Sequence, residues 1–292
     1  MKTFSNKPTV AIVGGFQQGK STLVNCLLGE ECAVIGNNMA TTIGCVKYEF
    51  GKKRGWFAVD KNGKEKSLSK NDFFGLTNQQ NKKTAKNIVY FRVVMPIPFL
   101  ESVDLIDTAG FGNNEEDNAA TLKILKDVSF VVVVTSFKAG QGEEFAEIVR
   151  RVRGNSRPFS VVINNFDSRV LKKKDDFVQG LNNIYARVKD QNPVPIIGEP
   201  LIVINTLWGW YGRCLEAGRQ DEERYEDDFN KLPRSFYRMT SKEIMKESNV
   251  DLLSEFITAK GIGVVNPGGY HLLQKAFDKY QEKILNRIKK GY

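Results

Sequence analysis

The stretch that most limits what this chain can become is Val10 to Leu28, reading VAIVGGFQQGKSTLVNCLL. Val10 to Val13 is an apolar run of strand length, and Gly14-Gly15-Phe16-Gln17-Gln18-Gly19-Lys20-Ser21 fits GxxxxGK[ST] without a mismatch. Leu23/Leu27 and Val24/Leu28 then recur at the spacing of a helix face, with Gly29 as its stop. Strand, glycine loop and helix in that order predict a nucleoside-triphosphate site. Gly14, Gly15 and Gly19 allow backbone N–H groups to turn toward phosphate oxygens without interference from a Cβ. The helix start, with Thr22 in its first turn, adds the positive end of its dipole. Lys20 supplies a charge for the β- and γ-phosphates and Ser21 a hydroxyl for Mg²⁺.

Beyond this loop the pattern alternates. Val46–Phe50, Gly55–Val59, Ile88–Met95, Ser102–Ile106, Phe130–Thr135, Phe159–Ile163 and Leu201–Ile204 read as strands. Asp60-Lys61-Asn62-Gly63 carries the Asn-Gly signal of a hairpin, and Ser69 is placed to cap a short helix. Helices are expected over 115–127, 143–153, 177–188 and 250–257. Gly261, Gly263, Pro267, Gly268 and Gly269 read as a hinge-like break before a final amphipathic helix over 271–288. The aromatic, glycine-rich stretch Trp208–Cys214 reads as core or base-pocket packing. Near-continuous apolar strands between helices predict an α/β fold around a mostly parallel sheet. The expected division is a nucleotide domain over 1–215, carrying a basic insertion over 47–92, and a helical C-terminal extension over 216–292.

Composition narrows the class further. With 41% hydrophobic and 26% charged residues the chain is an ordinary water-soluble type, and no apolar run approaches the roughly 20 residues of a membrane span. Met1-Lys2-Thr3 leads into polar residues without an apolar signal core, which predicts a cytoplasmic location. Cys26, Cys32, Cys45 and Cys214 lack CxxC spacing and His271 is the single histidine, so buried, reduced thiols are expected and a thiol-rich metal site is not. The net charge of +9 is concentrated: residues 47–92 hold twelve Lys/Arg against Glu49, Asp60, Glu65 and Asp72. Such a face either attracts an anionic membrane surface or nucleic acid, with a peripheral membrane location in the first case, or is merely solvated.

Three later segments select the base. Ser102 to Gly112 reads SVDLIDTAGFG, a strand ending in Asp107-Thr108-Ala109-Gly110. An acid at a strand end can hold Mg²⁺ through water, and the N–H of Gly110 can reach a γ-phosphate. Thr41 or Thr42, on the loop before that strand, can supply a second hydroxyl to the metal. Phe159 to Asp167 reads FSVVINNFD, a strand followed by Asn164-Asn165-Phe166-Asp167. A carboxylate there accepts from both guanine N–H donors, a pair that adenine lacks.

GGFQQGKST, the threonine pair, DTAG and NNFD fall in the order of the translation-factor-type GTPases. FxxGKSTLxNxLLG and VVMPIPFLESVDLIDTAGFG resemble the dynamin-like branch of that class, over about residues 8–205. The resemblance implies a P-loop GTPase three-layer sandwich, GTP and GDP binding, hydrolysis with Mg²⁺, and a homodimer formed across the nucleotide face. It places base contacts at Asn164, Asn165 and Asp167, and the base loop at Asn205. Asn165 stands where the family motif has Lys. Phe111 follows DTAG where small GTPases carry a water-orienting Gln, so Gln17, Gln18, Thr42 or a partner subunit must supply that role beside Lys20. An Era-like, RNA-associated GTPase is the competing reading, although no RNA-binding module is visible after the nucleotide domain. A nucleotide-binding scaffold with negligible hydrolysis is the third.

Overall fold

The computed structural model describes residues 7–35, 45–77, 87–111, 115–154, 158–164, 174–189 and 201–265. Nine strands form one sheet: β1 (Thr9–Gly14), β2 (Cys45–Phe50), β3 (Gly55–Asp60), β4 (Glu65–Leu68), β5 (Ile88–Met95), β6 (Asp104–Asp107), β7 (Phe130–Ser136), β8 (Phe159–Asn164) and β9 (Leu201–Val203). Their spatial order is β4-β3-β5-β2-β6-β1-β7-β8-β9. The β6-β1-β7-β8-β9 half is parallel throughout, as expected from its unbroken apolar strands. The insertion half is mixed: β2 runs antiparallel to β6 and parallel to β5, and β3 pairs antiparallel with both β4 and β5. Here the Asn-Gly turn closes the β3–β4 hairpin.

Alternation along the strands sorts the core into two layers. Val10, Ile12, Phe130, Val132 and Val134 face α1 (Lys20–Leu28), and Phe91 and Val93 face α2 (Lys70–Thr77) and α3 (Phe99–Ser102). Ala11, Val13, Val131, Val133, Val161 and Ile163 face α4 (Glu115–Leu125), α5 (Glu143–Gly154) and α6 (Lys174–Lys189). Helices therefore cover both faces of the parallel half, the three-layer arrangement expected. All four cysteines are free and buried. Ser69 accepts from the N–H of Asp72 at 3.0 Å and so caps α2 as its position predicts.

The first layer also takes up α7 (Thr206–Glu216), α8 (Glu226–Phe229), α9 (Ser241–Ser248) and α10 (Val250–Val265). Trp210, Tyr211, Phe229, Ile244, Leu253 and Phe256 join the same apolar cluster as Val10 and Leu23. Residues on both sides of position 215 thus share one core.

Two sequence expectations shift. Ser102 ends α3 rather than opening the strand, because Pro98 at φ −55° sets up a helical turn and β6 begins at Asp104. The stretch from Trp208 to Cys214 supplies core residues as expected, and it does so as a helix, with Asn205 as its cap accepting from Trp208 N–H at 3.1 Å. Gly261 and Gly263 do not break the chain: α10 runs through them to Val265. Each glycine costs about 1 kcal/mol in a helix, less than the burial of Leu253, Phe256 and Ile257 on the same helix contributes. The expected helix over 271–288 lies outside the described residues.

The close approach of α7 to its neighbours depends on Gly209. A Cβ there would stand 2.7 Å from Val250 Cγ2 and 3.3 Å from Ser248 Oγ. Gly209→Ala should therefore pry α7 away, and we expect a loss of about 1–3 kcal/mol in stability, read as a lower midpoint in urea unfolding. An unchanged midpoint would mean that this contact is not tight.

Candidate nucleotide site

Parallel strands bring their carboxyl ends to one edge, and the loops that leave β1, β6 and β8 meet there. After β1 the chain turns through residues 15–19 into α1. Gly14 passes so close to β7 that a Cβ would lie 2.2 Å from the Val134 carbonyl oxygen. Gly19, at φ +82°, is left-handed, and a Cβ would lie 2.2 Å from Asn164 Nδ2. Only glycine meets both conditions, which is why the motif spaces glycines here.

Lys20 is buried, and its Nζ donates to the Gly15 carbonyl at 2.8 Å. Burial lowers its pKa to about 8, against the opposing pull of Asp107 and Glu144. Gly110 lies against the ammonium, since a Cβ there would be 3.0 Å from Nζ. Ser21 donates its hydroxyl to Asp107 Oδ2 at 3.0 Å. The other carboxylate oxygen, Oδ1, is buried with no hydrogen-bond partner. Burial pushes Asp107 up to about 6, with Lys20 and Ser21 acting the other way. A half-buried hydroxyl beside an orphaned, buried carboxylate oxygen fits a hard cation that completes its shell with phosphate oxygens and water. Ser21 and Asp107 would hold Mg²⁺ there, and the ion would supply charge neutralisation at the phosphates.

Asn164, at the end of β8, joins two loops. Its Nδ2 donates to the Gln18 carbonyl at 2.8 Å, and its Oδ1 accepts from Thr206 N–H at 3.0 Å. Asn205 sits beside it as the α7 cap. Gln18 is occupied at both ends of its side chain: Oε1 accepts from Ser136 N–H at 2.6 Å, and Nε2 donates to the Phe16 carbonyl at 3.0 Å. It braces the loop from beneath. Gln17 is exposed at φ 56°, and Thr22 is half-buried on α1. Phe111 is buried, pairs in parallel with Gly15, and donates its N–H to the Gly14 carbonyl at 3.0 Å. That places the segment after Asp107 directly on the phosphate loop. Thr41, Thr42, Asn165 and Asp167 lie outside the described residues.

Sequence reasoning missed the bracing role of Gln18 and the approach of Glu144, whose Oε1 comes within 3.1 Å of where a Gly15 Cβ would be. Neither residue carries a local signal, because each acts through an element distant in the chain.

Replacing Asn164 by Asp keeps the shape but leaves the Gln18 carbonyl facing a second acceptor. We expect Asn164→Asp to cost about 1–3 kcal/mol of stability and to weaken nucleotide binding at least tenfold. Thermal unfolding and equilibrium binding of a fluorescent nucleotide check both effects.

The geometry has counterparts. A family model described as the dynamin family matches residues 10–166. Dynamin-like protein 2 of Campylobacter jejuni is 26% identical over 245 residues, which is 82% of this chain and 36% of that protein. GTPase Der of Leptospira interrogans is 26% identical over 190 residues, covering 64% of this chain and 31% of the relative. A solved structure of an oligomerised bacterial dynamin pair, described as a mechanism for the long-range sensing and tethering of membranes, aligns with a TM-score of 0.54 at 16% identity. That alignment covers 98% of this chain and 46% of the other. The chain spans less than half the length of each of these relatives. Because the family match takes in more than half of its residues, the chain belongs to the dynamin family.

Proposed function

We propose that this protein binds GTP with Mg²⁺ at the loop of residues 14–22 and hydrolyses it to GDP and phosphate, activated by dimerisation across the nucleotide face. The observation that carries the reading is the convergence at one sheet edge of Lys20, the Ser21–Asp107 pair, Gly110 and the Asn164 bridge. The phosphates lie along the loop N–H groups, Lys20 neutralises the β- and γ-phosphates, and Ser21 and Asp107 hold the metal, with Thr42 (or Thr41) completing it. Asp167 reads guanine, and Asn165 and Asn205 flank the base. The nucleotide domain is assigned to 1–215 and the helical extension to 216–292, the two joined through their common core.

The binding half of the reading is tested by competition. GTP and GDP, but not ATP, should displace a labelled guanine nucleotide, and Lys20→Ala should lose binding while unfolding as cooperatively as the parent. Equal competition by ATP would remove Asp167 from its role. Unaltered binding by a folded Lys20→Ala protein would remove the site itself.

Water positioning is assigned to Gln17 or Thr42 with help from a second subunit. Phe111 is buried and apolar, and Gln18 already has a hydrogen bond at each end of its side chain. Docking would then set the attacking water, an effect worth orders of magnitude in rate. Turnover per molecule should rise with protein concentration, and a transition-state mimic of GTP should drive dimerisation where GDP does not. Specific activity over a dilution series, with light scattering in both states, measures this. Flat activity from a persistent monomer would point to an external activator. An anionic membrane or nucleic acid would meet the insertion at Lys52, Lys53, Lys61, Lys64 and Lys66, which are exposed, whereas Lys47, Arg54 and Arg92 are engaged in ion pairs.

A further inference from the structure

We propose that Asn249, in the turn between α9 and α10, is a positioning residue for guanine, because it holds the base loop at Asn205 from the side of the C-terminal extension. The inference rests on the proposed place of Asn205 beside the base. That loop leaves a short edge strand. Among the described residues β9 has three residues, pairs only with β8 and ends the strand order. Ile204 donates its N–H to the Ile163 carbonyl at 2.9 Å, toward β8. Val203 and Asn205, on either side of it, therefore direct their backbone groups the other way, away from the sheet. One turn meets both. Asn249 Nδ2 donates to the Val203 carbonyl at 3.1 Å, and Asn205 N–H donates to the Ser248 carbonyl at 2.9 Å. The turn stands where a further strand would.

The turn is itself held in this shape. Asn249 ends α9 in the left-handed region at φ 63°, with its N–H donating to the Met245 carbonyl at 3.2 Å. Ser248 is fully buried, and its Oγ donates to the Met245 carbonyl at 2.7 Å and accepts from Val250 N–H at 3.3 Å. Glycine would satisfy the left-handed backbone as well as asparagine does. Asparagine adds an amide, and the amide reaches Val203. On its other flank the base loop is fixed by Thr206 N–H to Asn164 Oδ1. A three-residue edge strand restrains its exit weakly, so the geometry of the loop is shared between Asn164, from the sheet, and Asn249, from the extension. The two bonds from the turn end on β9 and on the base loop, and neither touches the phosphate loop at residues 14–22. Asn249 therefore acts on the base and leaves the phosphates alone.

The test uses Asn249→Gly in the full chain, which keeps the left-handed backbone and removes the amide. Affinities for GTP and for inorganic tripolyphosphate, a competitor that carries no base, are read by displacement of a fluorescent guanine nucleotide. In Asn249→Gly, GTP should bind roughly three- to tenfold more weakly, the size of one amide–carbonyl hydrogen bond, and tripolyphosphate should stay within about twofold of the parent. Val152→Ala, buried in the opposite core layer, reports stability loss alone and should leave the ratio of the two affinities as it is in the parent. Equal weakening of GTP and tripolyphosphate in Asn249→Gly, or an unchanged GTP affinity, would overturn the role of Asn249. A parent protein that fails to bind the labelled nucleotide would instead overturn the nucleotide site on which the inference rests. Should Asn249→Gly fail to fold, hydrogen exchange in the parent decides: GDP should slow exchange of the Asn205 amide at least about threefold more than saturating tripolyphosphate does. Equal slowing by the two would count against Asn249.

Discussion

Two hydrogen bonds from one amide hold the nucleotide edge of this protein together. Asn164 reaches the phosphate loop through the Gln18 carbonyl and the start of α7 through Thr206 N–H. The loop that would cradle phosphate and the loop expected to flank the base are thus fixed to each other by the last residue of β8, before any ligand arrives. Gln18 extends the same brace to Ser136 at the end of β7. Because Gly19 passes within a Cβ radius of Asn164, the brace and the left-handed turn require each other. Neither an added methyl nor a lost amide can be absorbed locally, since the amide is held between two backbone groups, the Gln18 carbonyl of the loop and the Thr206 N–H that starts α7.

Charge is treated differently in the two halves of the sheet. Across the insertion, Lys7, Asp104, Lys47, Glu49, Arg92 and Glu65 form an alternating chain of ion pairs over neighbouring strands. Contacts hold Glu49 below its ordinary range although burial pulls the other way. At the nucleotide edge, by contrast, Lys20 and Asp107 are both buried deeply enough that desolvation outweighs their mutual attraction. The lysine falls to about 8 and the carboxylate rises to about 6. Groups left short of partners in this way are poised to gain from an added anion and an added cation. The insertion is electrostatically closed over these residues, and the phosphate edge is open.

Sequence legibility followed the range of the interaction. The phosphate loop, the β3–β4 hairpin and the Ser69 cap were readable because each is specified by residues a few positions apart. The parallel order was readable from unbroken runs such as Phe130–Val134. Helix α7 was not, since Trp208–Cys214 mixes glycine with aromatics and owes its helical state to the Asn205 cap and to packing on α9. The continuation of α10 through Gly261 and Gly263 was hidden for a related reason: local propensity argued for a break and tertiary burial overrode it. Asn164 was read for its place in a base motif, and its bracing of the phosphate loop depends on a residue 146 positions away.

The C-terminal helices are more than an attachment, because they also grip the segment that leads toward the threonine loop. Glu31, just past α1, is held by Arg224 at 2.8 Å and by Arg219 at 3.3 Å, both from the extension. Glu30 beside it is held by Arg54 from the insertion, at 2.7 Å from Nη1. Asn25 accepts from the N–H groups of Cys32 and Ala33 at 2.8 and 2.7 Å, and Tyr48 donates to the Cys32 carbonyl at 3.1 Å. Residues 30–33 are therefore pinned from the helix before them, the strand after them, the insertion and the extension. A rearrangement of the threonine loop on nucleotide binding would have to begin beyond this anchor. Its strain would be felt first by the arginine contacts of Glu30 and Glu31, which are more exposed and hence weaker than the buried amide contacts of Asn25. Any signal between the nucleotide and the extension would then pass by the loosening or tightening of Glu31, while the buried amide contacts of Asn25 hold the root of the loop in place.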